Sequence, residues 1–415
     1  MIMTKDFSLK FGTVAINTLA LQKKREGIKV YNLSAGEPKM APHPLIAKAI
    51  RQALAKGEVF YPPFSGMSEL KSAAAAWINK LYKANYLAEN TLVVNGGKFG
   101  IYLLLQHLLK EGDGVLIPTP YWVSYPAITR LFGGKPIFIE GGENNEWKIS
   151  AEDVERACKK SKAKILMLNS ACNPTGSVYS RKELLEILKV AKKHKLLVVS
   201  DEVYSCLIYD GTKFASCASF PQFKDNVVII HSCSKNFAIT GLRVGFVFGP
   251  KSIIADLGGL VSHSTSGVTT LSQWAALAAF KNASVITKRV NVAMKKRRDV
   301  FAKAFLENFG MELKKPASAL YYFVKMADLF RSSSFQKLSS PFTPSFLKRG
   351  TGGVKIKDSV KFCLDVFEKA NVALVPGKAF GKEGYVRFAF GAPEEELVGG
   401  LKVLAKFCGN NNVVL

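Results

Sequence analysis

A chain of 415 residues, 48% hydrophobic and 22% charged, is long enough to bury more than one core, which excludes a fibrous, low-complexity or intrinsically disordered protein. Its 58 Lys and Arg against 32 Asp and Glu give a formal charge of +26, but the basic residues are scattered and no helix-turn-helix, zinc-finger or RNA-binding signature accompanies them, so no nucleic-acid partner is expected. Seven cysteines with no CxxC pair argue against a disulfide framework and against a metal site, and with an N-terminus that lacks a signal-peptide pattern they point to a cytoplasmic protein.

Apolar residues at helical spacing (Val14, Ile16, Leu19, Leu21) predict a helix within 11–30, followed by a short strand at 30–33 and a Gly/Pro loop, Ser34-Ala35-Gly36-Glu37-Pro38. Helices are predicted at 44–56, with proline near the start and Gly57 at the end, and at 68–83, with an irregular Pro-rich connection through Tyr61 between them. From residue 91 short apolar strands alternate with helices: strands at 92–94, 115–117, 137–139, 165–168, 196–199, 227–230 and 244–248, with a helix at 181–193. That alternation predicts an α/β fold around a mostly parallel sheet buried on both faces. The uncharged run 257–280 is long enough to span a bilayer, but its Ser, Thr, Gln and His content predicts buried loop and helix, and no membrane partner is expected. After Val285 the pattern changes to a long charged helix through Arg297, a strand at 321–324, a polar insertion at 331–353, a helix at 357–370, strands at 372–375 and 386–389, and a final helix at 393–407, which predicts a smaller α+β domain. The expected division is an N-terminal arm and part of the small domain (1–45), a large domain (46–290) and a small C-terminal domain (291–415).

In an open parallel sheet, ligands collect at the carboxyl ends of the strands, so the residues following each strand are the candidate site. After 92–94 comes Asn95-Gly96-Gly97-Lys98, a glycine pair that opens a helix and offers free amides to an anion, or alternatively a plain turn. After 165–168 comes Asn173-Pro174-Thr175-Gly176, a turn that projects an amide side chain. Asp201 and Tyr204 follow strand 196–199, and a carboxylate there is costly to bury unless it meets a cation. Ser232-Cys233-Ser234-Lys235 follows strand 227–230, with Arg243 eight residues after the lysine. That is either an amine nucleophile beside an anion-binding cluster or a Ser-rich loop with an ordinary surface lysine.

Taken together in this order and spacing, these motifs resemble the class I/II pyridoxal 5'-phosphate-dependent aminotransferases of fold type I, over nearly the whole chain. The segments Ser34 to Pro38, Tyr121 to Pro126, Gln273 to Ala276 and Val375 to Arg387 are similar to the corresponding segments of bacterial aspartate aminotransferases. The resemblance implies that Lys235 binds the cofactor's aldehyde and, once released by substrate, shuttles a proton, and that Asp201 pairs with the pyridine nitrogen. It implies that Asn173 and Tyr204 hydrogen-bond the phenolic oxygen, that Trp122 stacks on the ring, and that Gly97, Lys98, Ser232, Ser234 and Arg243 hold the phosphate. Tyr61 is implied to reach the site of the other subunit of a homodimer. Arg387, Gly36 and Asn173 would grip the substrate α-carboxylate, and Lys98 the distal carboxylate of a dicarboxylic substrate. The implied activity is transfer of an amino group between an amino acid, aspartate or glutamate first, and a 2-oxo acid by a ping-pong mechanism. Aromatic, neutral or prephenate-type substrates, or a lyase reaction on the same fold, are the alternatives. Ala171-Cys172, Leu242 and Ser318-Ala319-Leu320 depart from the usual family residues, and the last lies where substrate meets the small domain.

Overall fold

The computed structural model describes residues 13–330, 347–350, 353–356 and 358–409. The strands in chain order are β1 (Tyr31–Asn32), β2 (Thr91–Val94), β3 (Gly114–Thr119), β4 (Lys135–Glu140), β5 (Ala163–Asn169), β6 (Leu197–Asp201), β7 (Val227–Ser232), β8 (Gly245–Phe248), β9 (Tyr321–Lys325), β10 (Leu347–Gly350), β11 (Gly353–Ile356), β12 (Val372–Ala373), β13 (Val375–Pro376) and β14 (Tyr385–Ala389).

Seven strands form one sheet in the order β2-β8-β7-β6-β5-β3-β4. Neighbours from β7 through β4 are parallel, and β8 alone runs antiparallel to both of its neighbours, so the expected mostly parallel sheet is present. Strands β2, β7 and β8 are buried along their whole length, as a sheet covered on both faces demands. One core, with Leu166, Leu168, Val198, Ile229, Phe246 and Phe280, covers one face of this sheet, and a second, with Val115, Ile117, Met167, Val199, Val228 and Ile230, covers the other. Strand β3 sends its next strand, β4, to one side while β5 lies on its other side, so a crevice opens at the carboxyl ends of the central strands.

A second unit is built on the antiparallel sheet β13-β14-β9, in which Arg387 lies opposite Phe323 and Val375. Its own core joins Phe301, Phe305, Tyr322, Phe388 and Leu401. The 27-residue helix Ala283–Phe309 buries Val290, Met294, Phe301 and Phe305 along one stripe and packs on the final helix, Glu394–Gly409. Strand β1 pairs in parallel with β12, and the Ala389 amide donates to the Leu33 carbonyl, so the N-terminal strand runs beside β14 and carries Ser34 to Gly36 into the cleft.

Local chemistry explains several boundaries. Helix Arg181–Lys193 begins where predicted because Ser180 accepts from the Glu183 amide while the Glu183 carboxylate accepts from the Ser180 amide. The run 257–280 falls in two helices, Lys251–Ser264 and Thr270–Lys281, and among the described residues no helix is long and apolar enough to cross a membrane. The single strand expected at 372–375 is two, β12 and β13, with different partners. Of the polar insertion at 331–353, only β10 and the start of β11 fall within the described residues, and the two strands form an antiparallel hairpin.

Candidate active site

Residues from both units meet in one cavity of about 230 Å³ at the carboxyl ends of β5, β6 and β7. Gly36, Gly97, Lys98, Trp122, Asn173, Asp201, Tyr204, Ser232, Ser234, Lys235, Arg243 and Arg387 all line it. Of the residues given a site role from the sequence, Tyr61 alone lies outside it: it is 91% exposed, on a loop with Val59 and Phe60, which are also exposed.

Strand β7 ends at Ser232, whose hydroxyl accepts from the Ser234 amide and caps the one-turn helix Cys233–Asn236, and this cap aims Lys235 into the cavity. The Lys235 ammonium donates to the Gly36 carbonyl. Burial pushes its pKa down to about 8; Arg243, Arg387 and Lys98 push the same way, against Glu37. A larger fraction of this amine is therefore neutral near pH 7 than of an ordinary lysine, which is what a nucleophilic amine requires.

Asp201 closes β6 and is 4% exposed. Its Oδ2 accepts from the Tyr125 hydroxyl at 2.6 Å and its Oδ1 from the Val203 amide at 3.4 Å, and among the described residues no salt bridge compensates it. Burial pushes its carboxyl up to about 6, with both hydrogen bonds working against that rise. A carboxylate left in this state fits a cation brought by a ligand, and a protonated ring nitrogen is one. Asn169, at the end of β5, donates to the Asp201 carbonyl at 2.9 Å and accepts from the Asn173 amide at 2.8 Å, which ties the Asn-Pro turn to the end of β6.

The anion end is built by close backbone approach. Gly96 (φ 86°) precedes helix Gly97–Leu108, which has no side-chain cap, so its first amides are free for a ligand. A Cβ on Gly96 would lie 2.3 Å from Arg243 Nη2, and a Cβ on Gly245 would lie 2.5 Å from the Gly96–Gly97 backbone, so both positions are confined to glycine. Arg243 Nη1 donates to the Thr240 carbonyl at 2.8 Å and lies 3.5 Å from Ser234 Oγ, which leaves Ser232, Ser234, Arg243 and the helix amides converging on one spot. This is a phosphate cradle in its donor chemistry.

At the opposite end, Arg387 is 2% exposed. Its Nη2 donates to the Ser34 carbonyl at 2.6 Å and its Nη1 to Asn173 Oδ1 at 3.1 Å, while its Nε is buried without a partner among the described residues. The guanidinium lies between the rings of Tyr321, 4.4 Å away, and Phe380, 5.0 Å away. Lys98 Nζ sits 5.1 Å above the half-buried Trp122 ring, and burial, then Arg243, pushes its pKa down. The cavity thus holds a reactive amine between an anion cradle and a second anion grip, with an uncompensated carboxylate below. The donor set fits pyridoxal 5'-phosphate and a substrate carboxylate.

Sequence reasoning assigned no role to Tyr125, Asn169, Val203 or Tyr321, although Asn169, Val203 and Tyr321 line the cavity and Tyr125 binds Asp201. Tyr125 sits in an aromatic segment that was quoted, but its partner lies 76 residues away and no local pattern names it.

Residues 28–404 match the family model described as aminotransferase class I and II. An aspartate aminotransferase of Bacillus subtilis is 34% identical over 397 residues, 95% of each chain, and a probable aspartate/prephenate aminotransferase of Aquifex aeolicus is 33% identical over 398 residues, also 95% of each. Among solved structures, Thermus thermophilus aspartate aminotransferase with maleate superposes with a TM-score of 0.83 at 31% identity, over 95% of this chain and 96% of that one. Rhizobium meliloti aspartate aminotransferase gives 0.84 at 29% identity over 96% of each.

Proposed function

We propose a donor, an acceptor and a set of residue roles for this chain on the premise that it belongs to the class I and II aminotransferases, enzymes that move an amino group from an amino acid to a 2-oxo acid. Aspartate and 2-oxoglutarate are the proposed pair, reacting in two successive half-reactions, and pyridoxal 5'-phosphate is the proposed cofactor. One observation carries the reading: a single cavity holds Lys235 with a depressed pKa, Asp201 without a counter-charge, and arginines at two ends.

When bound, the cofactor supplies the aldehyde that takes up the amino group and a ring that draws electron density from the substrate. The chain's own residues do the rest. Ser232, Ser234, Arg243 and the amides of Gly97 and Lys98 hold the phosphate, and Asp201, fixed by Tyr125, keeps the ring nitrogen protonated. Asn173 and Tyr204 hydrogen-bond the phenolic oxygen and Trp122 covers the ring. Arg387 would hold the α-carboxylate with Asn173 and Gly36, and Lys235 would carry a proton at the substrate Cα, a role worth typically 10²- to 10⁴-fold in rate. Lys98, its pKa lowered by burial and then by Arg243, is the proposed partner of the distal carboxylate. Prephenate, a 2-oxo acid with a second carboxylate, is a second candidate acceptor, since relatives such as that of A. aeolicus are named for both substrates.

The moving parts are proposed to be 46–290 and 291–415, with 1–45 serving as arm and part of the smaller unit. A homodimer is proposed from the exposed Val59, Phe60 and Tyr61, which would meet a second copy. A fully active monomer would overturn that assignment. The seven free cysteines support a cytoplasmic location.

The test is the visible spectrum of the purified holoenzyme titrated in turn with aspartate, glutamate, alanine and phenylalanine. Loss of the cofactor's visible band with the first two, and at least tenfold weaker response to the others, is expected. In Lys98→Ala the dicarboxylates should lose that advantage. Release of ammonia from aspartate with the visible band intact would make the chemistry a lyase reaction.

A further inference from the structure

We propose that Tyr321 is a positioning residue that aims the Tyr204 hydroxyl into the cavity and holds the plane of the Arg387 guanidinium, an inference that rests on the aminotransferase reading above. Tyr321 opens β9, opposite Ala389 of β14, and is buried. Its hydroxyl lies 2.6 Å from that of Tyr204, the rings meeting nearly at right angles, and its face lies 4.4 Å from the Arg387 guanidinium. A Cβ at position 36 would lie 2.2 Å from the Tyr321 hydroxyl, so the backbone of Gly36 closes the remaining side.

A proton count gives the direction of the hydrogen bond. Two hydroxyls share one bond, so one donates and the other has its own proton to place elsewhere. Around Tyr321 stands Arg387, which offers no acceptor, and among the described residues the Tyr321 hydroxyl has one hydrogen-bond partner, the Tyr204 hydroxyl. Tyr204 instead faces the cavity beside Asn173 and Asp201, where a ligand oxygen would accept. Every proton is used only if Tyr321 donates to Tyr204 and Tyr204 donates to the ligand. Hydrogen bonds in such a chain strengthen one another by roughly 10–30%. The same ring is one of the two faces that hold Arg387 in place.

The two duties separate in two variants of the holoenzyme. Tyr321→Phe keeps the ring under Arg387 and removes the donor; Tyr321→Leu removes both. Two readouts other than turnover are the pH at which the bound cofactor's visible absorbance changes and the Kd of maleate, an unreactive dicarboxylate. A phenolic oxygen less stabilised as an anion keeps the nearby proton to higher pH, so Tyr321→Phe should move the transition upward by a few tenths of a pH unit, less than Tyr204→Phe, with maleate within about twofold of wild type. Tyr321→Leu should show the same shift and bind maleate roughly tenfold more weakly, the loss of a desolvated cation–π contact. A transition that moves in Tyr204→Phe but stays put in Tyr321→Phe overturns the inference and leaves the functional reading standing. A transition that moves in neither overturns the role of Tyr204 and this inference with it. Unchanged maleate affinity in Tyr321→Leu overturns the second duty. Where the leucine variant does not fold, Tyr321→Phe alone decides the first duty and Tyr321→Met, which keeps apolar bulk without a π face, decides the second.

Discussion

The floor of the cleft, at the ends of β5, β6 and β7, and its roof, on β14 and β9, solve opposite problems with buried charge. On the floor, among the described residues, Asp201 has no cation and Lys235 no carboxylate at bonding distance, and burial has moved the pKa of both toward the neutral form. On the roof, Arg387 is equally buried but arrives already partnered by Ser34, Asn173 and two aromatic faces. A buried guanidinium cannot shed its proton and must be paired in advance, whereas a carboxylate and an amine can await a ligand with their pKa values shifted toward the neutral form. The floor is therefore kept at a cost in stability that the ligand offsets, and the roof is preorganised.

The sharpest way to break this contrast is Asp201→Asn. The amide puts an NH2 in place of one of the two accepting oxygens, so it can donate to the Tyr125 hydroxyl while its oxygen accepts from Val203, but it cannot compensate a protonated ring nitrogen. Removing one partner of a buried charge pair costs about 3–5 kcal/mol, so kcat should fall by roughly 10²- to 10³-fold. The cofactor-free variant should nonetheless melt a few degrees above wild type. The sign follows from the raised carboxyl: stability from the protonated form is present below the ordinary carboxylate pKa and is lost as pH rises through about 6. The Tm gap should therefore open between roughly pH 4 and 6 and stay level above that. A gap that does not change with pH would mean that Asp201 is compensated in the free protein and that floor and roof do not differ.

Much of the floor was legible in the sequence and little of the roof's wiring was, for a physical reason. Asp201 and Ser232 end a strand and Asn173 and Lys235 follow one within a few residues, and the local chain already states their surroundings, as the Ser232 cap beside Lys235 illustrates. Arg387 was recognisable only through the resemblance, because its partners Asn173 and Ser34 are 214 and 353 residues away. Tyr321, 117 residues from Tyr204, carries no local signature beyond membership of an aromatic strand. The same limit split the strand expected at 372–375: Val372 pairs with Tyr31 and Val375 with Arg387, a divergence that periodicity within the strand does not encode. Helix 181–193 was found to the residue because its start signal is local.

A milder perturbation sharpens the contrast from the roof side. Arg387→Lys keeps the charge but loses the fork that bonds Ser34 and Asn173 and the flat surface between Tyr321 and Phe380. Charged hydrogen bonds of this kind are worth about 1.5–3 kcal/mol, so KM for donor and acceptor alike should rise roughly 10- to 100-fold. The pH at which the cofactor's visible absorbance changes should move far less than in Asp201→Asn, because the floor is untouched. If the two variants shift it equally, the two regions titrate as one.

The smallest effect is expected where roof and floor are joined at the surface. Three carboxylates, one at the end of β4 and two on the segment after it, each meet a lysine of the second unit: Glu140 with Lys382 at 3.1 Å, Glu143 with Lys325 at 2.7 Å and Glu146 with Lys314 at 2.6 Å. Glu143 also accepts from the Tyr385 hydroxyl at 3.1 Å, and Trp147 packs edge-on against Tyr385 and Phe323. All three pairs are largely solvent-exposed, and such pairs are worth about 0.2–1 kcal/mol each and are screened by salt. Glu143→Gln should therefore raise KM by no more than about fivefold, and 0.5 M salt should remove most of the difference from wild type. A larger, salt-independent rise would place the positioning of Arg387 in this surface seam, and the roof would no longer count as preorganised by its buried contacts alone.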